Sequence, residues 1–247
     1  MKPTLKLPDD NKLLAFIFAR FIDGELTGLK EGNTLNYAPT LDAADFLAKQ
    51  IRDEIRHARM YRTLYQSVSD TSTLSSPWLL KLIMNPIHGR LWTEHCFLDK
   101  AVGERWVLYL METIAAHIED RKIKNYLNTI AKDERTHIAF GEEQTRLKAA
   151  QSAFWRFYLW GLFLRVDYAM GLAYKLTRTL ILKHYSAAAA EILTTFFTDA
   201  RQKIRQESAV LLAVRGNVSL WRMCFAQIIF WLRWPFCGWL QNPKKNF

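Results

Sequence analysis

The chain has 247 residues, half of them apolar and 13% aromatic, which is enough to bury a sizeable core and excludes a disordered chain. Its formal net charge of +10 is uneven: residues 1–150 carry 21 Lys and Arg against 20 Asp and Glu, whereas residues 151–247 carry 13 against 4. Cys96, Cys224 and Cys237 lack disulfide or zinc spacing, and the N-terminus "MKPTLKLPDD" has no apolar run of signal length, so a cytoplasmic protein with reduced thiols is expected.

Residues 9–30 read as a first helix, with Leu14, Phe18 and Phe21 at i, i+4, i+7. "EGNTLNYAPT" breaks it with Gly, Asn and Pro, and a second helix runs from Leu41 to Val68 behind the N-cap candidate Thr40. A loop, "SDTSTLSSP", and a short apolar piece, "WLLKLIMNP", lead to a third helix over His88–Ile118 and a fourth over Arg121–Ala150. The tight "EDRK" connection makes these two antiparallel neighbours. Further helices are expected at 152–183, 186–213 and 218–233, and no segment alternates with period two. The fold class is all-α, with residues 1–150 forming a bundle and residues 151–247 adding basic, aromatic helices to it.

Two short motifs stand out on this frame. "IRDEIRHARMY" places Glu54 and His57 three residues apart, and "AKDERTHIAFGEE" does the same with Glu134 and His137. On a helix, i and i+3 share one face. With 12 Glu and 6 His in the chain, chance predicts about 0.3 such pairs, and two occur, each preceded by an aspartate (Asp53, Asp133). Glu25 and Glu104 lie 29 and 30 residues upstream of Glu54 and Glu134, each on its helix's apolar stripe. Four carboxylates and two imidazoles converging in a bundle repel one another unless cations hold them, and such ligation suits iron or manganese. Asp53 and Asp133 are placed either to accept the free imidazole N–H of a ligand histidine or to pair with Arg56 or Arg135. Gly24, Gly28, Gly103 and Gly141 cluster near the six residues, which fits a substrate channel or close helix packing.

A Glu followed by Glu-x-x-His, twice over, resembles the ferritin-like di-iron carboxylate superfamily. The resemblance covers residues 10–150. It implies a four-helix bundle with two iron ions, or a manganese/iron pair, held by Glu25, Glu54, His57, Glu104, Glu134 and His137. Glu54 and Glu134 would bridge, with Glu25 and Glu104 capping one ion each. "DERTHIAFGEE" is similar to the second motif of aldehyde-deformylating oxygenases, and "IAKDERTH" to that of acyl-carrier-protein desaturases. The implied activity is O2-dependent oxidation of a hydrophobic, lipid-derived substrate, with a ferredoxin or flavin reductase as electron donor. Tyr61, four residues after His57, resembles the radical tyrosine of ribonucleotide reductase small subunits in its placement, against a plain core tyrosine. A ribonucleotide-reductase-like radical protein, a tRNA-modifying hydroxylase and a non-catalytic iron-binding or ferroxidase protein stay open as alternatives.

The second part is basic and aromatic together, with Trp221, Trp231, Trp234 and Trp239 near its end. Charges interrupt every apolar run short of a membrane span. Trp and Phe beside Arg222, Arg233, Lys244 and Lys245 suit the boundary of an anionic membrane. Packing onto the bundle, homodimerisation and single-stranded nucleic acid are the competing expectations, nucleic acid the weakest of them.

Overall fold

The computed structural model describes residues 11–28, 32–69, 89, 91–184, 187–216 and 219–232, and among these residues every regular element is a helix. The apolar piece "WLLKLIMNP", Cys237 and the tryptophans at 234 and 239 lie outside them. Helix α1 spans Asn11–Gly28 and a single turn, α2, spans Gly32–Leu35. Thr40 then caps α3 (Leu41–Val68): its extended backbone turns the side chain back, and Oγ1 accepts the Ala43 N–H at 3.2 Å. Asp42 in the first turn adds a favourable charge at the positive end of the helix.

The third rod departs from the sequence expectation. Gly89 is not helical, and α4 starts at Trp92 rather than at His88, running to His95. The chain folds back tightly over this start, since a Cβ on Gly89 would lie 2.2 Å from the His95 nitrogen. Asp99 secures the fold-back by accepting the Gly89 N–H at 3.1 Å while meeting His95 Nδ1 at 2.8 Å. From Cys96 to Glu104 the rod widens into a π-helical segment and then returns to α-geometry as α5 (Arg105–His117). Gly103 suits the wider turn, because a Cβ there would sit 3.1 Å from the Leu98 carbonyl oxygen, five residues back. Three residues later Asp120 caps α6 (Arg121–Gln151) by accepting the Ile123 N–H at 2.9 Å. So short a turn forces α5 and α6 to run antiparallel. Ser152 ends α6 in an extended conformation and accepts the Trp155 N–H of α7 (Ala153–His184). Helices α8 (Ala187–Leu211) and α9 (Leu220–Leu232) follow.

Helix α1 lies along α3, and the π segment and α5 lie along α6. One apolar core joins these pairs: Phe18, Phe21 and Ile22 of α1, Tyr61 and Leu64 of α3, Met111 and Ile114 of α5, and Leu127 and Ile130 of α6. A second core ties the later helices to the same bundle. There Phe97, Leu98 and Val102 of the π segment meet Tyr158–Phe163 of α7, Phe197 and Ile204 of α8, and Ala226 and Phe230 of α9. Polar groups cross-link the same helices. Buried Arg105 pairs with Glu142 of α6 and, at 3.2 Å, with Glu207 of α8. Buried Asp167 of α7 accepts from Arg201 and Arg205 of α8 at 2.6–2.7 Å. No described helix is long and apolar enough to cross a membrane. The outward face of α9 nevertheless exposes Trp221, Phe225, Ile228 and Leu232 at i, i+4, i+7, i+11.

Candidate metal centre

Helical spacing alone turns Gln50, Asp53, Glu54, His57 and Tyr61 of α3 to the interior, and Glu134, His137 and Gly141 of α6 face them. Glu25 arrives from α1 and Glu104 from the last residue of the π segment. Glu25, Glu54, His57, Glu134 and His137 are all buried, and the Glu104 side chain is 14% exposed. All six residues singled out from the sequence therefore meet in one place.

Their donor atoms form two groups sharing one member: Glu25, Glu54 and His57, and Glu54, Glu104 and His137, with the atoms of each group within 4.8 Å of one another. Glu134 lies between the halves. One of its oxygens is 3.3 Å from His57 Nδ1 and the other 3.4 Å from His137 Nδ1. Glu25 Oε2 stands 3.7 Å from His57 Nδ1, and Glu104 Oε2 stands 3.8 Å from His137 Nδ1. The imidazole centroids are 6.3 Å apart.

Asp53 and Asp133 cross over: each reaches the histidine of the other motif. His57 Nε2 meets Asp133 Oδ2 at 3.2 Å, and His137 Nε2 meets Asp53 Oδ2 at 3.5 Å. Arg56 sits between the two aspartates at 2.8 Å from each, so the salt bridge foreseen as the alternative coexists with the histidine contact. Arg135 pairs with Glu112 instead. An Nε2–H donated to a carboxylate leaves the Nδ1 lone pair pointing inward. Both Nδ1 atoms and Glu134 Oε2 are buried without a hydrogen-bond partner.

The donor set fits divalent cations. Removing several carboxylates from water costs several kcal/mol per ion unless opposite charge repays it. Within the protein alone, Lys100 supplies part of the repayment at Glu104, and the histidines supply it at Glu134. Burial by itself would push the Glu134 carboxyl up, yet His137 and His57 hold it below its ordinary range. Burial would likewise depress the His57 imidazole, but Glu134, Asp133 and Glu54 outweigh it and raise it. Protons thus do in part what cations would do better. Carboxylate oxygens with one imidazole nitrogen per half suit iron or manganese.

Tyr61 is fully buried, donates its hydroxyl to Met111 Sδ at 2.8 Å and packs on Phe21 at 4.8 Å between ring centroids. Burial, then the charges of Glu25, Glu134 and Glu54, raise its phenol well above the ordinary value and keep it protonated. Gly141 is a packing glycine: a Cβ there would come within 2.4 Å of Lys100 Cβ and 2.6 Å of the Cys96 carbonyl oxygen. Gly24 differs, with no atom within 4 Å of an added Cβ. Beside His137, Phe46 stands edge-on at 6.2 Å and stacks on Phe140 at 3.8 Å, and Trp92 meets Phe140 edge-on.

Two site residues escape the sequence reading. Gln50 Nε2 donates to Glu104 Oε1 at 2.7 Å, and Lys100 Nζ donates to the same oxygen at 2.8 Å. Each stands four residues before a site glutamate, the one signal that could have found them. Comparison of the chain with protein-family models, curated proteins and solved structures found no match.

Proposed function

We propose that this chain is a ferritin-like di-metal carboxylate protein, with two iron ions as the first expectation, that activates O2 to oxidise a hydrophobic, lipid-derived substrate. The observation that carries the reading is Glu134, whose two oxygens face one imidazole each in a repeated arrangement of Glu and Glu-x-x-His. Glu25, Glu54 and His57 would hold one ion, Glu54, Glu104 and His137 the other, and Glu134 would span both. When bound, a pair of redox-active ions supplies the electrons that O2 reduction requires, and an external ferredoxin or flavin reductase restores them.

The chain's own residues do the rest. Asp133 and Asp53 fix the tautomer of the opposite histidine and keep Nδ1 available. Phe18 and Phe21 stand two turns and one turn before Glu25, and Leu127 and Ile130 two turns and one turn before Glu134. They lie in a buried apolar core that continues from the buried carboxylates and keeps water from that end of the site. Phe46, Phe140 and Trp92 form an aromatic wall beside His137, which favours an apolar substrate on that side. The exposed α9 stripe supports delivery from an anionic lipid surface: residues 208–247 carry five Lys and Arg and no Asp or Glu, complementary to acidic headgroups.

Anaerobic reconstitution with ferrous iron tests the proposal. About two irons per chain are expected, with O2 uptake accelerated by a long-chain aldehyde or fatty acid. Uptake indifferent to lipid would discard the substrate class, and absence of stoichiometric metal would refute the centre.

A further inference from the structure

A cleft of about 690 Å³ lies between α7 and α8, and none of the six candidate metal ligands lines it. Helical spacing builds both walls. Tyr168, Gly171, Leu172 and Lys175 share one face of α7 at i, i+3, i+4 and i+7, while Phe197, Arg201 and Arg205 share one face of α8 at i, i+4 and i+8. Gly171 gives the cleft its depth: a Cβ there would already lie 3.5 Å from the Arg201 guanidinium, so a longer side chain would extend into the space. Tyr174 stacks on Phe197 at 4.2 Å between ring centroids and lines the cleft with aromatic surface. Tyr168 and Leu172 add apolar surface that is open to solvent.

The charge of this cleft is one-sided. Buried Asp167 accepts from Nε and Nη2 of Arg201 at 2.6 and 2.7 Å, and from Nη2 of Arg205 at 2.7 Å. That grip fixes the planes of both guanidinium groups and leaves Nη1 of each outside the carboxylate's reach. Lys175 is a third cation, and among the described lining residues none is acidic. One carboxylate against three cations leaves two positive charges facing the cleft. Guanidinium forks held in place by a carboxylate match the oxygens of a phosphate. A phosphate monoester carries about −1.5 to −2 at neutral pH, which suits two charges better than a carboxylate or a phosphodiester, each with a single one. The volume falls within the range of small-molecule sites, about 300–1,000 Å³, so the phosphate can bring a body with it.

We propose that the α7–α8 cleft is a binding site for a phosphate monoester carrying an apolar or aromatic body. Arg201, Arg205 and Lys175 hold the phosphate, and Tyr168 and Leu172 cover the body. Asp167 is a positioning residue that acts through the two arginines. The site uses none of the metal ligands and stands independently of the di-metal reading. Its phosphate belongs either to a soluble nucleotide or to a lipid headgroup, two sources that experiment separates.

Calorimetric titration of the full chain with phenyl phosphate and phenyl sulfate tests the charge match at about pH 8, above the second ionisation of a phosphate ester near 6. The phosphate should bind below about 1 mM and about tenfold more tightly than the singly charged sulfate, the scale of one further charge among screened cations. Arg205→Gln leaves Asp167 its bonds from Arg201 and should weaken phenyl phosphate about 10–100-fold, the loss of a charge-assisted hydrogen bond. Lys175→Gln, at an exposed position, should weaken it about two- to fivefold. Gly171→Leu keeps every charge and should abolish binding by filling the cleft. Neither of the last two touches Asp167, so they carry the test if Arg205→Gln fails to fold, which thermal unfolding checks. Adenosine 5′-monophosphate and dihexanoyl phosphatidic acid then identify the source, the lipid kept below its micellar concentration so that the α9 stripe has no surface to engage. Binding of either supports the inference, and the tighter of the two names the source. No phosphate ester bound at about 1 mM, equal affinity for phenyl sulfate, or unchanged affinity in both Gly171→Leu and Lys175→Gln would overturn it. Metal content, measured on the same samples, tests the di-metal reading separately.

Discussion

Introducing one methyl group at each of two glycines separates packing from helix propensity. Gly141→Ala places a Cβ 2.4 Å from Lys100 Cβ, 2.6 Å from the Cys96 carbonyl oxygen and 3.0 Å from the Ala101 nitrogen. Two of these three neighbours are backbone, so α6 and the π segment must separate by about 1 Å to reach ordinary contact near 3.4 Å or more. Overpacking of this kind costs roughly 1–3 kcal/mol and occasionally more, whereas Ala in place of Gly inside a helix returns about 1 kcal/mol. Because the contacts lie well below the van der Waals limit, the steric cost should fall in the upper part of that range, about 2–3 kcal/mol, leaving a net loss of about 1–2 kcal/mol. Gly24→Ala has no atom within 4 Å of its new Cβ and should gain about 0.5–1 kcal/mol. Urea unfolding of the metal-free proteins, followed by far-UV circular dichroism, measures both. In thermal scans each kcal/mol should move Tm by about 2–4 °C for a chain of this length. The separation also shifts Glu104 away from His137, so Gly141→Ala should weaken metal binding as well. A Gly141→Ala protein as stable as wild type would refute the close α6–π contact and the account of the site built on it.

Glu134→Ala, which removes the carboxylate lying between both imidazoles, should reduce bound metal from about two ions per chain to none or one, measured by elemental analysis. Asp133→Ala takes away the His57 Nε2 partner and should lower metal affinity about 10–100-fold, measured by calorimetry. For pH, the raised His57 imidazole contributes stability to the metal-free protein that is full below its ordinary value, about 6.5, and is lost as pH rises through the raised one. The lowered Glu134 carboxyl contributes stability present above its ordinary value, about 4.5, and lost as pH falls through the lowered one. Their joint contribution should therefore peak between about pH 4.5 and 6.5. Metal affinity should rise with pH through the His57 transition, because the cation displaces that proton. Unfolding and Mn2+ titrations across pH check both signs. Replacing Trp221, Phe225 and Ile228 together by Ser should abolish flotation with phosphatidylglycerol-containing vesicles and leave metal content unchanged, while equal binding to neutral vesicles would remove the charge argument.

Much of the site was legible before any fold was known, because helical geometry converts spacing into direction. A carboxylate and an imidazole three residues apart must share a face, so Glu54 with His57 and Glu134 with His137 follow from the chain alone. Thr40 and the limits of α3 were equally local, since a cap and its helix lie within a few residues. The widening of the third rod was not legible: Gly103 permits a π turn without demanding one, and the π segment is held by Gly141 and by the cores on either side. The same limit applies to Asp53 and Asp133. Their spacing allows a contact along one helix or across two, and only the packing of α3 on α6 sends each to the other motif's histidine.

What the amino-acid order determined by itself is the all-helical class and the six residues that converge, since both rest on periodicities internal to single helices. That Gln50 engages Glu104, that Asp53 and Asp133 each reach the other motif's histidine, and where an aromatic wall stands beside His137 depend on contacts between residues tens of positions apart. Gln50 and Glu104, at 2.7 Å, are 54 residues apart in the chain. Such distances are fixed by how whole helices pack, and no local spacing encodes them.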